Sequence, residues 1–185
     1  MFSAYAGRKE RRTKWPSFLM LHFSFRCLIP KRREGDIDAR LDFLVRSLDK
    51  ARTKILVPTP ALCEVLIGAS DAAAQYLDII NRSSRFKVVP FGPRAAVEAA
   101  AAHREALRAG DKKEGTASWR KVKFDRQIVA IAKVEGATVI YSTDDDIRRF
   151  SARDSLNVIS LESLPFPPEK PQGDLFPQTP DDETA

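Results

Sequence analysis

The chain has 185 residues, 43% of them hydrophobic, which suits one domain plus tails and supplies enough apolar material for a single core. Its net charge is +6, with most of the excess before residue 35 in RKERRTK and PKRREGD, so the charge is compatible with a polyanionic partner without requiring one. No apolar run is long enough to span a bilayer. Two cysteines, Cys27 and Cys63, lack metal-ligand spacing, which excludes a disulfide framework and a thiolate zinc site, and a reducing cytoplasm is the expected compartment.

Residues 1–16 are basic and patternless, and disorder is expected there. Residues 17–29, SFLMLHFSFRCLI, are apolar enough for a strand. They superficially resemble a signal peptide, but His22 and Arg26 interrupt the run and no small-residue cleavage site follows. A charged connector covers 31–36. DIDARLDFLVRSLDKA then sets Ile37, Leu41, Leu44, Val45 and Leu48 on one helical face, with Asp36 or Asp38 able to cap its start.

Lys54 to Val57 reads as a short buried strand. Thr59 and Pro60 suit the N-cap and first position of the next helix, which carries Glu64 in its second turn and ends at Gly68. Cys63 reads as a small packing residue. A further helix is expected over 71–81, a strand over 86–91, and an alanine-rich helix over 93–109 with His103 on its surface. DKKEGTASWR, 111–120, reads as a polar loop. Helix, strand and short helix follow in KVKFDRQIVAIAKVEGATVIYSTDDDIRRF, then a last strand, NVISL. Phe124, Ile128, Ile131 and Ala132 share one face of the helix, and Gly136 is placed to stop it in a left-handed conformation. After Pro165 the composition turns proline-rich and acidic, and an extended or disordered tail is expected.

Alternating helices and short buried strands predict a parallel sheet sandwiched by helices. In such sheets ligands sit at the carboxyl ends of the strands. Glu64 follows one strand, Asp144 and Asp146 follow another, and Asp125 lies early in a helix able to point at the same corner. Clustered carboxylates of this kind suit Mg²⁺ or Mn²⁺, which can activate water and neutralise charge in a phosphoryl displacement. Plainer readings stand beside this one. Glu64 suits a solvated helix face, Asp125 a helix N-terminal acid, and Asp144 to Asp146 a cap for the following helix.

VPTPALCEVL and, far downstream, VKFDRQIVAIAKVEGATVIYSTDDDIRRF resemble the PIN-domain family of metal-dependent ribonucleases, which includes VapC-type toxins. The resemblance spans about residues 37–164. It implies a three-layer α/β/α domain over 36–164, with an atypical basic segment, 1–35, before it and a tail, 165–185, after it. It also implies metal coordination by Glu64, Asp125 and Asp144, with Asp146 as an accessory acid and Thr143 positioning water or phosphate. The implied activity is Mg²⁺- or Mn²⁺-dependent endoribonuclease, as the toxin of a toxin–antitoxin pair, with a small antitoxin over the acidic pocket and homodimers usual.

The sequence departs from the family at the front. The family's first strand is central and ends in an aspartate, whereas residues 17–29 contain no acid. Two explanations follow: a pseudo-nuclease that keeps the fold as an RNA- or protein-binding module, or a segment 1–35 read from the wrong frame or start. An apolar run ending in Asp in another frame of the gene would support the second. Trp119, Arg120, Lys121, Lys123 and Arg126 form a basic and aromatic cluster beside Asp125, suited to single-stranded RNA, or else to core-edge packing and solvated charge. In the tail, Gln172 to Phe176, QGDLF, resembles the peptide bound by bacterial sliding clamps.

Overall fold

The computed structural model describes residues 18–22, 36–111, 118–154 and 156–168, with the backbone alone for the first of these. The basic segment 1–16, Cys27 and the QGDLF peptide lie outside the described residues.

The elements are β1 (Phe18–His22), α1 (Asp36–Lys50), β2 (Ile55–Pro58), α2 (Thr59–Ala69), α3 (Ala73–Arg82), β3 (Phe86–Val89), α4 (Pro93–Arg108), α5 (Trp119–Glu135), β4 (Ala137–Ser142), α6 (Asp145–Ser151) and β5 (Asn157–Ile159). Short 3₁₀ turns lie at Ser70–Ala72 and Leu161–Ser163. The five strands form one sheet in the order β3-β2-β1-β4-β5. Every neighbouring pair is parallel.

This order places the strand expected within 17–29 at the centre of the sheet. Leu19 lies in register with Ile55 on one side, and Leu19 to His22 pair with Val139 to Ser142 on the other. The chain runs outward from β1 to β3, then returns to the far side of β1 as β4. That reversal makes the crevice between β1 and β4 the topological switch point, the place in an open parallel sheet where a ligand fits.

Side-chain alternation divides the interior into two faces. Leu56 and Ile140 face α4, α5 and α6, in a core with Ala95, Ala99, Ile128, Ile131, Ile147 and Phe150. Ile55, Tyr141 and Val139 face the opposite way, toward Leu41 of α1 and Leu161 and Leu164. Val57 turns to Leu62 and to Ile80 of α3. The result is the three-layer α/β/α arrangement. α5 is buried most of the way round in its middle because it is wedged between sheet and outer helices: Val122, Ile128, Val129, Ala130, Ile131 and Ala132 are all buried.

Local departures from the expected elements have specific causes. Pro58, not Thr59, occupies the N-cap of α2, and no side chain caps that helix. The Thr59 hydroxyl instead accepts from the Phe91 amide at 3.2 Å, tying α2 to the end of β3. α5 begins at Trp119 within the expected loop, because the Ser118 hydroxyl accepts from the Lys121 amide and supplies the cap. Gly136 ends it as expected, at φ 72°. Cys63 is exposed, not packed. Contacts extend past Leu164: the Arg40 guanidinium donates to the carbonyls of Glu162 and Leu164 and lies 3.7 Å above the Phe166 ring.

Candidate metal centre

Asp125, Asp144 and Asp146 converge at the carboxyl end of β4. Each offers a carboxylate oxygen, and these oxygens lie within 4.8 Å of one another. Asp125 projects from the second turn of α5 and is 2% exposed. Because α5 starts at Trp119, Asp125 lies beyond the first turn, where the helix dipole stabilises an acid most, so the macrodipole alone does not account for it.

Asp144 follows β4 and caps α6. Its Oδ1 accepts from the Asp146 amide at 2.9 Å, and its own amide donates to the buried Ser142 hydroxyl at 3.0 Å. The capping role considered for this acidic run is therefore real. It uses one carboxylate oxygen and leaves Oδ2 directed at the cluster. Asp146, in the first turn of α6, places Oδ1 3.1 Å from the Arg149 guanidinium and its other oxygen in the cluster.

The Lys121 ammonium completes the cluster. Its Nζ lies 2.8 Å from Asp125 Oδ2, 2.8 Å from Asp144 Oδ2 and 2.6 Å from Asp146 Oδ2. Partial burial by itself would lower the lysine pKa; hydrogen bonds to the three carboxylates outweigh it and hold the pKa above its ordinary value. Lys121, one of the basic cluster suited by sequence to RNA, is turned inward to the three carboxylates. The signal was available, since lysine and aspartate at i and i+4 face one another on a helix.

Glu64 stands in the second turn of α2, exposed and outside the three-carboxylate group. α2 itself begins at the carboxyl end of β2 and contacts α5. Thr143 is exposed on the turn between β4 and α6. β1 ends at His22, in register with Ser142, so the central strand opens at the same edge as Asp144 without an acid at its described end.

The basic and aromatic cluster divides. Arg120 and Lys123 are exposed, and Lys123 Nζ lies 5.9 Å from the centre of the Trp119 ring. Trp119 is half-buried against the core, edge-on to His103 with centroids 5.2 Å apart. Arg126 is 3% exposed, bonded to His103 Nδ1 at 2.7 Å and stacked 5.1 Å from Phe150. Burial removes Arg126 from any RNA-facing surface. It also makes His103 a packing partner of α5, not a plain surface residue of α4.

An all-oxygen set held by α5 and by the capped start of α6 fits a hard divalent cation. The PIN-domain family model matches residues 36–153, well over half of the chain. The chain belongs to the PIN-domain family. That family generally uses divalent metal ions, in keeping with the acid cluster. No curated protein sequence matches the chain.

Among solved structures, VapBC2 from Rickettsia felis bound to a DNA fragment from its promoter is similar at a TM-score of 0.53 and 16% identity, covering 77% of this chain and 98% of the other. DNA-bound VapBC from Salmonella typhimurium is similar at 0.52 and 17%, covering 78% and 98%. VapBC-1 from nontypeable Haemophilus influenzae is similar at 0.51 and 11%, with the same coverage. At these identities the likeness is one of fold. Among the described residues, no helix is long and apolar enough to cross a membrane.

Proposed function

We propose that this PIN-domain protein is a Mg²⁺- or Mn²⁺-dependent endoribonuclease of the toxin kind. The observation that carries the reading is the convergence of Asp125, Asp144 and Asp146 at the switch point of a parallel sheet. Asp125 and Asp144 are the acids that would hold the ion, with Asp146 beside them and Glu64, on the helix that follows β2, as the further acid this reading takes. A bound ion would supply activated water and charge neutralisation at a phosphodiester.

The chain's own groups then have distinct tasks. Buried Asp125 and the Asp144 cap keep two carboxylates in fixed directions. Exposed Arg120 and Lys123 pair with backbone phosphates, Trp119 offers the edge of a stacking surface, and Thr143, exposed on the turn after β4, is the hydroxyl this reading takes to orient a phosphate or water. A small antitoxin covering the acidic corner and a homodimer are the partners this reading takes, by analogy with the VapBC structures of similar fold.

Cleavage of a mixed RNA pool in Mn²⁺, beside Asp125→Asn, tests the proposal. The wild-type chain should cleave, and the variant should lose about 100-fold or more of the rate, as removal of an electrostatic group at a reacting centre does. Equal cleavage by both would place the activity elsewhere.

A second reading, an RNA- or protein-binding module without hydrolysis, is favoured by one observation: a lysine already neutralises the three carboxylates. RNA retention without cleavage by folded protein in Mn²⁺ would select it.

A further inference from the structure

The acid cluster contains a cation of its own. All three short contacts of the Lys121 ammonium go to carboxylates of the candidate metal centre: Oδ2 of Asp125, Oδ2 of Asp144 and Oδ2 of Asp146. An ammonium has three N–H donors, so this geometry occupies all of them. A divalent ion among the same oxygens would sit about 2.0–2.6 Å from each. That position falls on or next to the ammonium, and two cations cannot share it.

We propose that Lys121 is the resident counter-ion of the cluster, and that a divalent cation enters only by displacing it. The inference rests on the metal-dependent reading above and deepens it: Lys121 sets the ion concentration at which the site loads. The parts differ in their freedom to move. Asp125 is buried in the helix that forms the centre of the core. Asp144 is held at both ends of its short turn, by the Ser142 hydroxyl and by the Asp146 amide. The Lys121 side chain is 41% exposed, on a flexible four-carbon stem, and starts from the first turn of α5. Displacement therefore moves the lysine into water and leaves the carboxylates in place. Asp146 keeps Arg149 as a partner when the lysine leaves.

The test is calorimetric titration of Mn²⁺ into the full chain, for wild type, Lys121→Met and Asp125→Asn. The Met variant keeps the stem and removes the charge. It should bind Mn²⁺ tighter by about tenfold or more, the scale at which groups next to ligands tune metal affinity, and Mn²⁺ should raise its melting temperature by more than it raises that of wild type. Equal or weaker binding by Lys121→Met, with Asp125→Asn abolishing the wild-type site, overturns the inference and leaves the metal-dependent reading intact. No Mn²⁺ binding by folded wild type or by Lys121→Met overturns both.

If Lys121→Met does not fold, the wild-type chain answers the question. The ¹³Cε resonance of Lys121, assigned against Lys121→Arg, should shift saturably with Mg²⁺, at the midpoint of ion binding. A resonance that stays fixed while Mg²⁺ binds overturns the displacement.

Discussion

Asp125 and Arg126 are neighbours in the chain, opposite in charge, and both buried on α5. Burying either charge alone would cost several kcal/mol. Each side chain points to a different side of the helix and meets its own partners: Asp125 meets Lys121, and Arg126 meets His103 and the face of Phe150. His103 pays for that contact in its titration. Burial foremost, then the positive charges of Arg126 and Lys123, hold its pKa below the ordinary 6.5. The unfolded chain therefore binds this proton more readily than the folded one. Stability rises with pH from the lowered folded pKa up to 6.5, and is lost as pH falls through that window. Replacing His103 with Gln should flatten this part of the melting-temperature curve, measured by calorimetry across the acid range. A slope as steep as wild type would assign the pH dependence to other groups. Asp125→Asn carries the residue-scale prediction for activity: the cluster loses one negative charge, and RNA cleavage should fall with it.

At the scale of elements, the stretch from α5 through β4 to α6 is set by its ends. The Ser118 hydroxyl opens α5, Gly136 closes it at φ 72°, and Asp144 opens α6. A β-carbon at Gly136 would meet nothing within 4 Å, so substitution there is opposed by backbone strain and not by crowding. Gly136→Ala should cost about 1 kcal/mol or somewhat more in chemical denaturation, with little change in the denaturant slope. An unchanged midpoint would mean that the turn relaxes without cost. These ends were partly legible. Gly136 announced itself as a stop, whereas the start at Trp119 was missed because DKKEGTASWR has no apolar periodicity and its last residues join the helix only through the Ser118 cap. Thr59 was misplaced by one position for a related reason: several hydroxyls near a helix start are chemically suited to capping, and the Phe91 amide, 32 residues away, takes this one.

For the molecule as a whole, the sheet depends on β1. It pairs with β2 on one side and β4 on the other, and without it β3-β2 and β4-β5 lose their bridge. A chain lacking residues 1–23 should give no cooperative thermal transition by circular dichroism. A cooperative transition would show that β2 and β4 close the gap themselves. Core truncation has a more graded effect: Ile131→Ala, at a fully buried position of α5, should cost about 2–5 kcal/mol by leaving a cavity between sheet and helices.

The sequence by itself determined the alternation of helices and short buried strands and the parallel α/β class, and it offered Glu64, Asp125, Asp144 and Asp146 as a candidate constellation. These depend on local periodicity, on turn residues and on acids placed next to strands. Tertiary structure decided what lies between distant residues. It set β1 in the centre of the sheet by register, buried Arg126 against α4 and α6, left Glu64 outside the cluster of three, and brought Lys121 into contact with the carboxylates of Asp144 and Asp146 at the start of α6. Such juxtapositions depend on which faces pack and in what register, and a one-residue shift in strand pairing or a small rotation of α5 would change all of them while leaving every local pattern intact.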